Sequence, residues 1–216
     1  MDSQERQWFT SDEYNDYWVN GFCLTFVAGK PGSHVQEILH TSIGALIESA
    51  DEGKPFLATI FDVTGGSIIL ERGGYAGSMR RVSRALSDDT RLALVVNPFI
   101  GHPKFAYLEN TDLICAFRLE DPEFRWGSSP DFVLSDLTSA GVLPVQEPDW
   151  ESEEDELELE QLDLQNAVNR VLGAISIAER ATGLLFGRQL INSTQYFVSF
   201  QDIYSSTAGK PEEYLI

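Results

Sequence analysis

Basic residues are scarce in this chain. Among 216 residues, 15 lysines and arginines stand against 34 aspartates and glutamates, a formal net charge of −19. Such a surface repels a duplex phosphate backbone, so duplex nucleic acid is excluded as a general partner. Cysteine is rarer still. Cys23 and Cys115 each lie in an apolar run; two are too few for a disulfide scaffold and read as buried free thiols of a reducing compartment. The only histidines are His34, His40 and His102, and neither HExxH nor CxxC spacing occurs. The residues therefore suggest no zinc site, and no metal or cofactor is expected. A GxSxG nucleophile elbow is also missing. No apolar run approaches the ~20 residues of a membrane span. Met1–Thr10 lacks the basic and apolar regions of a secretion signal. The expectation is a cytoplasmic protein without membrane association.

What is present suffices for a folded core. Apolar residues make up 43% and aromatics 11% of the chain, whereas disordered chains are poor in aromatics. A chain of this length buries roughly 70% of its unfolded surface, enough to fold without metal or disulfide.

The pattern along the chain mixes helices with short-linked strands. Tyr14, Tyr17 and Trp18 share one face of a short helix over Asp12–Asn20. Phe22–Val27 reads as a buried strand. A helix follows from His34 to Ala50, then a strand from Phe56 to Val63, a two-residue turn at Gly65-Gly66, and a return strand from Ser67 to Glu71. Ser78 reads as the cap of a helix reaching Leu86, with Met79, Val82 and Leu86 facing inward. Strands are expected at Arg91–Asn97, Lys104–Leu108 and Asp112–Leu119, a loop at Asp121–Pro130 and a helix at Asp131–Ala140. Apolar residues from Leu164 to Ala178 follow a 3.6-residue period that ends at Gly183, which predicts a long helix. Alternation at Tyr196, Val198 and Phe200 suggests a last strand, and Ser205–Ile216 a flexible tail. Short links favour antiparallel neighbours. The expected fold is one α+β domain over residues 1–216: an antiparallel sheet of five or six strands, helices mainly on one face and a long C-terminal helix.

Two stretches carry candidate chemistry. The first is Gly74, Tyr75, Gly77 and Ser78, followed by Arg80, Arg81 and Arg84. Glycines let amide groups approach a ligand, and arginine forks match phosphate or carboxylate. The spacing matches neither a dinucleotide fingerprint nor a P-loop, so a tight turn followed by a helix cap competes with ligand binding. The second is Glu147–Asp163, with ten acidic residues and no basic one. Trp150, Glu151, Glu153, Glu154, Asp155, Glu156 and Glu158 lie in it, and Trp126 lies upstream. Such a run is either a solvated linker or a surface complementary to a cationic partner; leucines at 157, 159 and 162 favour docking or a helix start. His102, in the Asn97–Pro103 loop, is the weak candidate for a general base.

Three further stretches resemble a family of uncharacterised proteins abundant in actinobacteria. They are Tyr17-Trp18 with Phe22–Val27, similar to an aromatic followed by a CxTxV strand; Gly74–Ser78 through Val82, Leu86-Ser87 and Thr90 to Phe105–Tyr107, similar to a GWxGS turn, a helix end and an FxYA strand; and Ala174–Gly183, similar to an ALxxAExxTG helix. Tyr75 stands where tryptophan is usual, and Asp88-Asp89 replaces a glycine-bearing turn. The resemblance implies one small α+β domain and makes the Gly74–Ser78 turn a shared structural corner. It implies no activity, cofactor or catalytic residue.

Three function classes follow. The leading one is a non-enzymatic binding module for a basic protein, immunity- or antitoxin-like in kind. The second is a phosphate- or small-ligand-binding regulator using residues 72–84. The third is an enzyme of unrecognised type.

Overall fold

A computed structural model describes residues 8–43, 46–47, 57–140, 142, 156–188, 190 and 193–199. The elements in chain order are α1 (Asn15–Asn20), β1 (Phe22–Ala28), α2 (Gly32–Ile43), β2 (Leu46–Ile47), β3 (Leu57–Val63), β4 (Gly66–Arg72), α3 (Arg80–Ser87), β5 (Arg91–Asn97), β6 (Lys104–Glu109), β7 (Asp112–Arg118), β8 (Asp121–Trp126), α4 (Leu134–Ser139), α5 (Glu156–Thr182) and β9 (Gln195–Ser199).

Among the described residues the strands form one nine-stranded sheet, ordered β2-β9-β3-β4-β1-β5-β6-β7-β8. Every neighbouring pair is antiparallel. This corrects the expectation of five or six strands. Two of the additional strands lie where other elements were expected. The two-residue β2 falls inside the expected helix to Ala50, since α2 stops at Ile43. The other, β8, falls in the expected loop. Its Asp121-Pro122-Glu123 start lacks apolar alternation, and it pairs with β7 only through Asp121, Arg125 and Trp126. Proline is tolerated there because β8 is an edge strand.

The helices cover both faces of the sheet, a second correction. On one face Phe22, Leu24 and Phe26 of β1 and Phe105 and Phe117 of β6 and β7 pack with Val171, Ala174, Ile175 and Ala178 of α5. On the other, Cys23 and Val27 of β1 and Leu92 and Leu94 of β5 pack with Val35 and Leu39 of α2 and Val82 and Leu86 of α3. Every residue of β1 is buried, as are five consecutive residues in each of β4 and β5. Strands covered on both faces read as continuous apolar runs rather than alternating ones. Each fully buried leucine, valine or phenylalanine contributes about 1.5–3 kcal/mol, so these central strands anchor the domain.

The β3–β4 hairpin turns on Thr64-Gly65, one residue earlier than expected, since Val63 pairs with Gly66. Gly65 takes the positive φ of 92°. At Gly66 a Cβ would collide with the Val27 carbonyl of β1.

Candidate functional site

The Gly74–Ser78 turn lies over the start of β1. Its local logic is set by Glu71, the penultimate residue of β4, which pairs across the sheet with Cys23. Glu71 is 1% exposed. Its carboxylate accepts N–H bonds from Ala76 at 2.7 Å and Gly77 at 2.8 Å. The amides that the sequence offers to an external anion therefore hold the chain's own Glu71 carboxyl group. Gly77 has no room for a side chain: a Cβ would collide with Thr25 Oγ1 and come within 3.0 Å of Glu71 Oε1 and 3.4 Å of Cys23 Sγ. Burial pushes the Glu71 carboxyl up to about 7, against the bonds from Gly77, Ala76 and Cys23 that favour its charged form. Burial and the adjacent Glu71 also hold the Cys23 thiol well above its ordinary value. An inert thiol follows from that environment.

Ser78 does not cap α3. Its hydroxyl donates to the Tyr75 carbonyl at 2.8 Å, and the α3 N-cap is Met79, without a side-chain cap. The Tyr75 hydroxyl accepts the Phe99 N–H at 3.0 Å and ties the turn to the β5–β6 loop. Arg80, Arg81 and Arg84 are exposed on α3. The motif residues Cys23, Thr25 and Gly77 thus meet in one buried corner.

A parallel arrangement closes α5. Glu179 is 5% exposed, and its Oε1 accepts the Phe186 N–H at 2.7 Å. Thr182 Oγ1 donates to the Ala178 carbonyl at 2.7 Å, and Gly183 takes the left-handed φ of 79° that ends the helix. Arg91 donates to the Ala181 and Thr182 carbonyls at 3.3 and 3.4 Å.

Of the acidic candidates, Trp150, Glu151, Glu153, Glu154 and Asp155 lie outside the described residues. Glu156 and Glu158 fall in the first turn of α5. The helix also carries Glu160 and Asp163, with no basic residue before Arg170. From Gln165 to Arg170 no residue is buried, and Val171 is.

Trp126 is 39% exposed at the end of β8. It pairs with Ala116, which belongs to the core on the α2–α3 face, so Trp126 lies on the face opposite α5. The structure does not bring Trp126 together with α5. Instead Arg118, Asp121, Phe124 and Trp126 line a groove of about 390 Å³. Nothing in the sequence pattern of β8 singles out this groove, because the Asp121-Pro122 start reads as a loop.

His102 is exposed, and its Nδ1 contacts Glu120 Oε2. Cys115 is buried, donates to the Pro130 carbonyl at 2.9 Å and is pushed by burial up to about 11. Among the described residues no group of three His, Cys, Asp or Glu side chains could hold a metal ion, and no helix is long and apolar enough to cross a membrane.

Neither a search of the curated proteins nor one of the solved structures finds a match. One family model does match, and it spans nearly the whole described sheet, from before α1 to beyond β9. The chain belongs to the family of unknown function DUF6461, whose model matches residues 3–203.

Proposed function

We propose that this chain is a non-enzymatic protein-binding module that takes a basic partner through its acidic segment, in the manner of an immunity or antitoxin-like protein sequestering a cationic effector in the cytoplasm. The observation that carries this reading is the acidic run of residues 147–163, which continues into α5 and leads to Gln165–Arg170, none of which is buried. Charge on a helix keeps a more fixed spacing than charge on a coil, and a concentrated negative field speeds association with a positive surface. The occupied amides of Ala76 and Gly77 favour this reading over an anion site at the Gly/Arg turn. Among the described residues, an enzymatic reading would draw on the exposed His102–Glu120 contact.

Affinity capture of the full chain from host lysate tests the proposal. The expected result is one strongly basic protein retained at low salt. That protein is lost at ~0.5 M salt, where the Debye length shrinks to a few Å. It is also lost when Glu153, Glu154 and Glu156 are all changed to lysine. Retention that is indifferent to salt and to this charge reversal overturns the reading, as does an acidic or neutral partner.

A further inference from the structure

The cations of this chain are few, and five of the described ones are held by the chain's own acceptors. Arg72 pairs with Asp16, Arg125 with Asp131 and Arg180 with Asp136. Lys30 donates to the Asp88 carbonyl, and Arg91 to the end of α5. Lys104 and Arg118 stand out by their placement. They are direct cross-strand partners at the ends of β6 and β7. Among the described residues, neither makes an ion pair. Like charges placed opposite one another on a sheet destabilise it. Here burial and the neighbouring Arg118 both lower the Lys104 ammonium from its ordinary value. With acidic residues outnumbering basic ones 34 to 15, a carboxylate partner would be easy to supply. The pair lies beside a concavity that also holds Asp121, the β8 cross-strand partner of Arg118, which makes no ion pair with it.

That concavity is the groove of Arg118, Asp121, Phe124 and Trp126. Its volume of about 390 Å³ falls within the range of about 300–1,000 Å³ usual for small-ligand sites. Phe124 is 76% exposed and Trp126 39%. The edge is poorly suited to adding a strand from a partner: Pro122 lacks an N–H, and the ladder is interrupted between Arg118 and Phe117. A small molecule fits it better than an extended peptide.

We propose that the groove between β7 and β8 binds a small aromatic anion: a planar ring bearing an N–H donor, stacked on Trp126 and Phe124, with its anionic group on Arg118 and Lys104 and its N–H donated to the Asp121 carboxylate. An aromatic face favours a planar ring, a guanidinium fork favours a carboxylate or phosphate, and an ionised aspartate can only accept. This site is separate from the Gly/Arg turn and does not depend on the acidic segment, so its failure leaves the partner-binding proposal intact.

Two probes represent the two sources of this chemistry: AMP for nucleotides and indole-3-acetate for aromatic carboxylates. Adenosine and inorganic phosphate are the controls that lack one half of it. Titration of the full chain, followed by heat and by tryptophan fluorescence, is expected to give saturable binding of at least one probe. Its matching control, adenosine or phosphate for AMP and indole for indole-3-acetate, should bind at least about tenfold more weakly. Arg118→Glu, an exposed substitution, should weaken the probe by about tenfold or more, as for a charge-assisted contact reversed in sign. Trp126→Ala should abolish the fluorescence change, with circular dichroism confirming the fold. AMP binding alone assigns the site to nucleotides, and indole-3-acetate binding alone to aromatic carboxylates. No saturation by either probe up to about 10 mM overturns the proposal. So does phosphate binding as tightly as AMP, or probe affinity unchanged in Arg118→Glu.

Discussion

The corner over Glu71 and the edge at β8 make opposite use of polar and aromatic residues. At the corner, a glycine-rich turn presents backbone donors, and the chain satisfies them itself with the buried Glu71 carboxylate. At the edge, two cations and two aromatic rings stand at the surface with no such closure among the described residues. A ligand-like motif in sequence can therefore be a finished internal structure, while an unremarkable Pro-containing stretch leaves its chemistry open. The difference lies in the neighbours each segment meets. Residues 71–79 fold onto the central strand β1, where an unsatisfied donor would cost about 1–3 kcal/mol. Among the described residues, the outer side of β8 meets no further strand.

If the corner is closed in this way, it should be the less tolerant of the two regions. The largest effect is expected from Gly77→Ala. The new methyl would collide with Thr25 Oγ1 and crowd Glu71 Oε1 inside a region fully covered by protein. Overpacking of a rigid core costs about 1–3 kcal/mol, and displacement of the Glu71 bond adds to it, so a loss of about 3 kcal/mol is expected in urea unfolding. A loss below about 0.5 kcal/mol, the usual range for surface changes, would show that the corner is soft.

Next in size is a pH effect centred on Glu71. Its folded-state pKa is raised from 4.5 to about 7. The native state therefore holds a proton that the unfolded chain has released between those two values. Stability must fall as pH rises through this window and level off above about 7, since it declines wherever the folded state binds more protons. At about 1.4 kcal/mol per pKa unit the whole decline is on the order of 3 kcal/mol. Glu71→Gln cannot ionise, so its stability curve should lose this component. Guanidinium melts of both proteins between pH 4.5 and 8 check it; parallel curves would assign the slope to other groups.

The corner shows how far residue patterns reach. Gly74–Ser78 reads correctly as a turn ahead of a helix because glycine content and apolar spacing are local signals. That Ala76 and Gly77 face Glu71 is a property of strand pairing, set by the Cys23–Glu71 register, which no local window contains. The same limit explains the sheet. Continuous apolar runs in β1, β4 and β5 signal two covered faces, yet the two-residue β2 and the Pro-containing β8 at the edges carry no comparable signal. The long helix and its Gly183 stop are legible because periodicity and a left-handed terminus depend on neighbours in sequence. The groove is hidden for the opposite reason. Arg118 and Trp126 are eight residues apart, and only the pairing of β7 with β8 places them on one concavity.

The smallest effect is expected at the edge, where its smallness carries the information. Phe124 is 76% exposed and lies between the two paired portions of β8. Replacing it with serine removes apolar surface that already faces water, so little transfer free energy is lost. Surface substitutions of this kind stay within about 0.5 kcal/mol, and the unfolding midpoint of Phe124→Ser should match that of the parent chain. Loss of probe binding without loss of stability would mark Phe124 as a residue kept for contact. If the variant instead loses more than about 1 kcal/mol, Phe124 packs against protein in solution, and the contrast between a closed corner and an open edge fails at its exposed end.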